Sequence, residues 1–473
     1  MNSNQVLDIF KEITRIPRES GHEGPITAYL QQFAANRGLD CKTDGTGNVL
    51  ITRPASKGKE NIPTLVLQSH QDMVCEKRAG CVHDFSKDPI DYVIEDGWMI
   101  AKDTTLGADD GIGIAAELAL LESDCEMGKI ECLFTISEET GMDGAMALKP
   151  DFFTGKTLIN LDSEDEGQLF IGCSGGMDTR VRFRYESEQI RSDYEVIRLS
   201  IDGAQGGHSG DDINKERANA VQLMSRFLYC ELKYGFQLVH ISGGNKPNAI
   251  ARDCEAVIAV PSARATKARF TRFGKELKVE FAVSDPEVRC KSEKAAAHRA
   301  VDSDTARRVI TSMYGCPHGV QAMSQDIPGL VETSTNLASV KMRRKGLIEI
   351  GTSQRSSVLS ERKMIGDKVK AVFELAGAEV RKVSAYPGWK PNLDSHILSV
   401  CVESYRRLFG TDPEVKAIHA GLECGLFLEK FPGLDMISFG PTLRGVHAPG
   451  EKLELESMDR FVDLLNDVVC NFK

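Results

Sequence analysis

The run Ile62-Pro63-Thr64-Leu65-Val66-Leu67 is apolar and gives way to Gln68-Ser69-His70-Gln71-Asp72. A short apolar run bounded by polar residues predicts a buried strand. His70 and Asp72 then stand at or just past its carboxyl end, where open α/β sheets build their sites. Period-2 alternation sends both side chains to one face. The pattern recurs: Lys129 to Ile136 ends in Ser137-Glu138-Glu139-Thr140-Gly141, and Thr157 to Asn160 ends in Leu161-Asp162-Ser163-Glu164-Asp165. Helical spacing over Ser3 to Ile16 (Val6, Leu7, Ile9, Phe10, Ile13), from about Gly24 to Asn36 and from Ile112 to Glu122 supplies helices between strands. Two further strands are predicted at Leu39 to Thr43 and Asn48 to Arg53, around Gly45-Thr46-Gly47. The alternation of β and α segments indicates an α/β sheet with helices on its faces.

After Gly175-Gly176 the pattern changes to long, more polar strands (Thr179 to Tyr185, Tyr194 to Ile201) and a glycine-rich loop, Gly203 to Gly210. A helix from about Lys215 to Tyr234 follows, then strands near Phe236 to Ile241 and Glu255 to Val260. A helix near Ser262 to Phe273 and a strand near Lys278 to Val283 come next. Ser284 to Val301 is charged and weakly patterned and reads as a linker. A helix at Thr305 to Tyr314 precedes a predicted hairpin, Glu332 to Lys341 and Leu347 to Thr352, turning at Arg343-Arg344-Lys345-Gly346. A helix at about Ser360 to Ala376 and a strand to Ala385 complete what reads as a small α+β domain. Beyond Tyr386-Pro387-Gly388-Trp389, helices near Ser395 to Leu408, Leu422 to Glu429 and Ser457 to Phe472, with a strand at Asp435 to Phe439, resume the first style. The expected architecture is α/β: one split domain, residues 1–186 and 388–473, with a mixed sheet flanked by helices, and an inserted α+β domain, 187–387.

The net charge of −11 makes nucleic acid and anionic membrane surfaces poor partners. Thirteen scattered cysteines with no C-x-x-C argue against a disulfide framework or a zinc finger. No apolar run is long enough to span a membrane and the amino terminus lacks a signal-like segment, so a cytoplasmic protein is expected. Gly111-x-Gly113-x-x-Ala116 matches a dinucleotide fingerprint in form, but Asp109 and Asp110 precede it, where two carboxylates would repel a pyrophosphate.

Collected at the strand ends and nearby are His70, Asp72, Asp109, Glu138, Glu139 and Asp162, with His447 beyond the strand ending at Phe439. Two histidines, several carboxylates and no cysteine fit zinc, cobalt or manganese. The donors exceed what a single tetrahedral ion needs; two metals sharing a bridging carboxylate would use them. Glu138 and Glu139, as neighbours at a strand end, diverge. One can bind metal while the other takes a proton from a metal-bound water.

The segments His70-Gln71-Asp72-Met73-Val74, Gly107-Ala108-Asp109-Asp110-Gly111, Ser137-Glu138-Glu139-Thr140-Gly141, Asn160-Leu161-Asp162-Ser163-Glu164 and His447-Ala448-Pro449-Gly450 occur in that order. This series resembles the dizinc exopeptidases that include carnosinases, tripeptidase T and aminoacylases. Leu161 to Gly167, Gly172-Cys173-Ser174-Gly175-Gly176, Gly206-Gly207-His208-Ser209-Gly210 and Tyr386-Pro387-Gly388-Trp389 are similar to its Xaa-His dipeptidase branch. The resemblance implies two Zn2+ (Co2+ or Mn2+ would also fit) with Asp109 bridging them, His70 and Asp162 completing one site, and Glu139 and His447 the other. It further implies that the split domain is catalytic and the inserted one a lid, with metal-bound hydroxide as nucleophile, Glu138 as the general base that takes the water's proton, Asp72 orienting His70, and His208 as a lid histidine for the oxyanion. Arg355 is a candidate for the substrate carboxylate through its bidentate fork. Asn248 could assist at oxyanion or carboxylate. His419 and Glu423 fall in a segment that faces substrate in the family, where Glu423 would read an amino group. The expected activity is hydrolysis of dipeptides ending in histidine, β-alanyl-histidine included, by a cytoplasmic homodimer. The alternatives are a broader dipeptidase or tripeptidase, an N-acyl amino acid deacylase on the same metals, and a non-catalytic binding protein that keeps the fold. Gly111, where several branches carry lysine, and Gln71, where many relatives carry a small residue, depart from the wider pattern.

Overall fold

The computed structural model describes residues 1–344 and 346–473. Lys345, in the predicted turn after Arg343, lies outside the described residues. The chain divides into two compact units, residues 1–172, 390–417 and 422–473 in one and 173–389 and 418–421 in the other.

In the first unit the strands Ile130–Thr135, Leu65–His70, Thr157–Asn160 and Asp435–Ser438 lie side by side in that order and are all parallel. Val49–Arg53 and Asp40–Thr43 extend the sheet antiparallel beyond Ile130–Thr135. Every residue of Ile130–Thr135, Leu65–His70 and Thr157–Asn160 is buried. Such strands lose polar alternation because helices cover both faces of the sheet. The helix Ala108–Glu122 packs on Leu65–His70 and on the helix Ser3–Ile13; His396–Phe409 packs on Asp435–Ser438 and on Leu455–Asn471. Because the four central strands run the same way, His70, Thr135, Asn160 and Ser438 all end at one edge.

A small antiparallel sheet that the hydropathy pattern did not signal joins Tyr92–Glu95, Trp98–Ala101, Lys452–Glu454 and Leu443–Arg444. Its last two strands pair with each other and hold between them the loop that carries His447. Cys125 and Cys470, 345 residues apart, are paired in this unit. Among the described residues no helix is long and apolar enough to cross a membrane.

The second unit is a nine-stranded antiparallel sheet with the helices Ala220–Glu231, Ala263–Glu280, Ser303–Gly315 and Leu359–Leu375. Its core gathers Val181, Phe183, Leu199, Ile258, Phe270 and Phe373. The strand Gly175–Arg184 belongs here, because it pairs along its length with Leu347–Ser356 and Glu379–Tyr386. The unit therefore begins at residue 173 rather than at 187. Lys278 to Val283 is not a strand: the helix Ala263–Glu280 runs into it, burying Thr266, Phe270, Phe273 and Leu277 at helical spacing. Residues 284–301 are not a bare linker either, since Arg289–Lys294 and Arg299–Val301 form strands at sheet edges.

Candidate active site

The strand Leu65–His70 delivers His70 to the edge where the parallel strands end, and both His70 and Asp72 are essentially without exposure. His70 Nδ1 lies 3.1 Å from the Asp72 carbonyl oxygen and 3.4 Å from Asp72 Oδ1. An imidazole whose Nδ1 faces only acceptors carries its proton there and leaves the Nε2 lone pair for a cation. Gln71 turns away: its Nε2 donates to the Gly47 and Phe134 carbonyls and its Oε1 accepts from Thr27.

His70 Nε2 lies 2.9 Å from Asp109 Oδ1, and His447 Nε2 lies 3.0 Å from Asp109 Oδ2. One carboxylate thus turns a different oxygen to each of two imidazoles. Asp162 Oδ1 is 3.5 Å from His70 Nε2, and Glu139 Oε1 is 2.9 Å from His447 Nε2. The donor atoms of His70, Asp109 and Glu139 fall within 4.8 Å of one another, as do those of His70, Asp110 and Asp162. Asp110, absent from the expected ligand set, accepts from the Gly113 N–H through Oδ1. Its buried Oδ2 has no hydrogen-bond partner among the described residues. Imidazole nitrogens and carboxylate oxygens without thiolate suit a divalent ion such as zinc or manganese.

The electrostatics report a shortage of positive charge. Burial, with the charge of Asp109, pushes the Asp162 carboxyl up to about 7. Burial and the charges of Asp162, Glu139 and Glu423 push Glu138 well above the carboxylate range, and burial raises Glu139 too. Hydrogen bonds to Asp109 and Glu139 hold His447 up at about 11. Against the opposing pull of burial, Asp162 and Asp109 hold His70 well above its ordinary value. A bound cation would relieve the mutual repulsion that raises these carboxyls.

Glu138 and Glu139 open a short helical turn, Glu138–Gly141, rather than closing a strand. They diverge as successive residues of that turn. The Asp72 carboxylate caps it: Oδ1 accepts from the Glu138 N–H at 3.1 Å, and Oδ2 from the Glu139 N–H at 3.3 Å and from Ser20 Oγ at 2.7 Å. Glu23 fastens the preceding residue by accepting from the Ser137 N–H and hydroxyl. Asp72 therefore does more than orient His70; it also sets where Glu138 and Glu139 begin.

Glu423 lies beneath these strand ends, fully buried, instead of at a surface a substrate amine could reach. Its Oε2 accepts from Gln68 Nε2 and Thr135 Oγ1, and burial lifts its carboxyl to about 8. Gln68 Oε1 in turn accepts from Asn160 Nδ2, and Asn160 Oδ1 from Ser438 Oγ. This chain of side chains crosses the parallel strands just below their ends and stiffens them.

The second unit gathers its own expected residues. His208 Nδ1 is 2.8 Å from Asp211 Oδ2, and its Nε2 is 3.3 Å from Arg355 Nη2. Arg355 is 7 % exposed, donates from Nη1 to the Tyr386 hydroxyl, and its Nε has no hydrogen-bond partner among the described residues. His419 pairs with Ser334 Oγ at 2.7 Å, and burial, with the Arg355 charge, lowers its pKa to about 3. A Cβ on Gly210 would collide with the His419 carbonyl, so the glycine-rich loop reaches this cluster only because that position is glycine. Asn248 accepts from the Ser209 N–H through its carbonyl and lines a 650 Å³ cavity with His208, Lys246 and Arg252. Asp211 and Tyr386 are additions to the expected set; each was within or beside a segment already singled out.

A parallel α/β sheet that sets two imidazoles about one carboxylate at its strand ends defines a metal-dependent hydrolase. Residues 66–471 match the model of peptidase family M20/M25/M40, and the chain belongs to that family. It is 37% identical over 477 residues to the cytosol non-specific dipeptidase of Escherichia coli, covering 99% of this chain and 98% of that one. The crystal structure of aminoacylhistidine dipeptidase from Vibrio alginolyticus superposes with a TM-score of 0.91 at 37% identity, covering 99% of this chain and 96% of that one. Aminopeptidase PepT from Bacillus cereus shares the fold, with a TM-score of 0.59 at 17% identity over 99% of this chain and 98% of that one. The protein is a metallo-exopeptidase.

Proposed function

We propose that this enzyme is a cytoplasmic, homodimeric dizinc dipeptidase that prefers dipeptides ending in histidine. The observation that carries the metal reading is Asp109, whose two oxygens face His70 and His447. In this reading Asp109 would be shared by two ions, with His70 and Asp162 available to hold one and Glu139 and His447 to hold the other. When bound, such a pair polarises the scissile carbonyl and acidifies a water.

Glu138 is the general base. It takes the proton of the water that attacks the carbonyl carbon, then gives it to the leaving nitrogen as the C–N bond breaks, so one water is consumed and an amine and a carboxylate leave. A carboxyl that burial and neighbouring charge push upward suits a group that must both accept and release a proton. Asp72 holds the His70 tautomer and the Glu138 turn together. For the other unit, the family resemblance gives the Arg355 fork the role of carboxylate recognition and His208 that of oxyanion stabilisation, with Asn248 assisting at either and His419 in a substrate-facing segment.

The histidine preference is supported by the likeness to an aminoacylhistidine dipeptidase. A broader dipeptidase is the second reading, favoured by the equal identity to a dipeptidase called non-specific and cytosolic. A panel of β-alanyl-histidine, glycyl-histidine, alanyl-leucine, a tripeptide and an N-acetyl amino acid, given to metal-stripped and zinc-restored enzyme, separates the readings. Zinc-dependent cleavage concentrated on the histidine dipeptides is expected. Equal cleavage of alanyl-leucine selects the broad reading, and cleavage of the acetylated compound alone moves the enzyme to deacylation.

A further inference from the structure

The segment Leu106-Gly107-Ala108-Asp109 brings Asp109 to the site, and two buried charges from distant parts of the chain grip it. Glu451 is 2 % exposed. Its Oε2 accepts from the N–H groups of Leu106 at 2.8 Å and Gly107 at 3.0 Å. Its Oε1 accepts from Ala108 N–H at 2.9 Å and, more loosely, from Asp109 N–H at 3.4 Å. Arg18, also 2 % exposed, donates through Nη1 to the carbonyls of Gln71 at 3.2 Å and Asp72 at 2.7 Å, and through Nη2 to the Gly107 carbonyl. A Cβ on Gly107 would stand 2.5 Å from Arg18 Nη2 and 2.7 Å from Met73 Sδ, and its φ of +69° already suits glycine. Both peptide edges of the segment are therefore held, the N–H groups by an anion and the Gly107 carbonyl by a cation.

The anchors of these two side chains matter as much as their hydrogen bonds. Glu451 closes the loop that carries His447, four residues downstream, and its own carbonyl accepts from Ala101 N–H at 3.0 Å. Arg18 binds the carbonyls that directly follow His70. One buried anion thus links the His447 loop to Asp109, and one buried cation links the His70 loop to the same place. Beside the direct contacts of Asp109 with His70 and His447, these charge-assisted bonds tie the three donor-bearing segments to one another from behind.

We infer that Glu451 and Arg18 are positioning residues for metal binding: together they fix the separation of His70, Asp109 and His447 before any ion arrives. The inference rests on the metal reading above. Groups that orient metal ligands from behind change metal affinity by about 10- to 100-fold when altered.

The test uses the full-length, metal-stripped enzyme. Zinc affinity and stoichiometry are measured by chelator competition, well below the melting temperature, for wild type, Glu451→Gln, Arg18→Lys and a control, Glu131→Gln. Glu131 is also a buried anion, capping the N–H groups of Thr154 and Gly155, but it lies at the opposite end of its strand from the site. Glu451→Gln and Arg18→Lys are expected to lose about 10- to 100-fold in zinc affinity while folded by circular dichroism. Glu131→Gln is expected to lower the melting temperature with zinc affinity unchanged. If Glu451→Gln does not fold, Glu451→Asp, which keeps the charge and shortens the reach, carries the same expectation. Wild-type affinity in the folded Glu451 variants, or an equal loss in Glu131→Gln, overturns the inference. A wild-type chain that binds no zinc overturns the metal reading itself, and that outcome is separate.

Discussion

Asp72→Asn should cost the metal-stripped protein about 2–3 kcal/mol at pH 7, a figure reached by two routes. The first counts bonds. The Asp72 carboxylate accepts from Ser20 Oγ and from the N–H groups of Glu138 and Glu139, and it lies 3.4 Å from His70 Nδ1. An amide of the same shape keeps one acceptor oxygen and turns its NH2 toward the N–H of Glu138 or of Glu139, neither of which can accept. Losing a charge-assisted bond while leaving a buried donor unmatched costs about 1.5–3 kcal/mol. The second route is linkage. Burial pushes this carboxyl up, but His70, Ser20 and the Glu138 N–H outweigh it and hold the pKa at about 2 against an ordinary 3.8. A difference of about 2 units corresponds to about 2.5 kcal/mol. The folded pKa is depressed, so this stability is present above the unfolded value and is lost as pH falls through the folded one. The penalty of Asp72→Asn should accordingly be constant from pH 5 to 7 and shrink between about pH 4 and pH 2. Urea unfolding of wild type and variant, both metal-stripped, at pH 7, 5 and 3.5 measures it. Equal stability at pH 7, or a penalty that grows below pH 4, would refute the reasoning.

Other outcomes follow from the same geometry. Glu138→Gln should lower kcat by about 10²- to 10⁴-fold with zinc stoichiometry and KM little changed, as steady-state kinetics alongside metal analysis will report. Zinc affinity should climb steadily from pH 6 to pH 8, because His447 (up at about 11) and Asp162 (up at about 7) must release protons to bind; a flat profile in chelator competition counts against the assignment of these ligands. Arg355→Lys should raise KM for dipeptides by about 10- to 100-fold, since an ammonium cannot reproduce the fork, while an N-terminally identical amide substrate should lose far less.

Much of the catalytic unit is legible in local pattern. Leu65–His70, Ile130–Thr135 and Thr157–Asn160 each hold an unbroken apolar stretch because both faces of the sheet are covered, and a site residue stands at the strand end or within three residues of it. His70, Asp109, Glu139, Asp162 and His447 could be collected from strand ends and motifs before any fold was in hand. Glu451 and Arg18 could not. Their partners are backbone groups, 342 to 345 residues away for Glu451 and 53 to 89 for Arg18, and a side chain that binds backbone leaves no complementary residue type in the sequence. Glu423 departs from its expected place for a related reason: its partners, Gln68 and Thr135, lie inside buried strands 288 to 355 residues away. In the second unit the alternation in Lys278 to Val283 suggests a strand, yet Thr266, Phe270, Phe273 and Leu277 bury one helical face and the helix runs on to Glu280. Arg289–Lys294 read as linker because an edge strand with one neighbour needs little apolar content.

The proposed dipeptidase activity depends on two ions held about Asp109. Stepwise return of zinc to the metal-stripped enzyme, with β-alanyl-histidine or glycyl-histidine hydrolysis followed at each addition, tests it most directly. No turnover is expected without metal, and full activity is expected on filling two tight sites per chain. Turnover by the metal-free protein, or two bound zinc ions with no hydrolysis of any dipeptide, would contradict it.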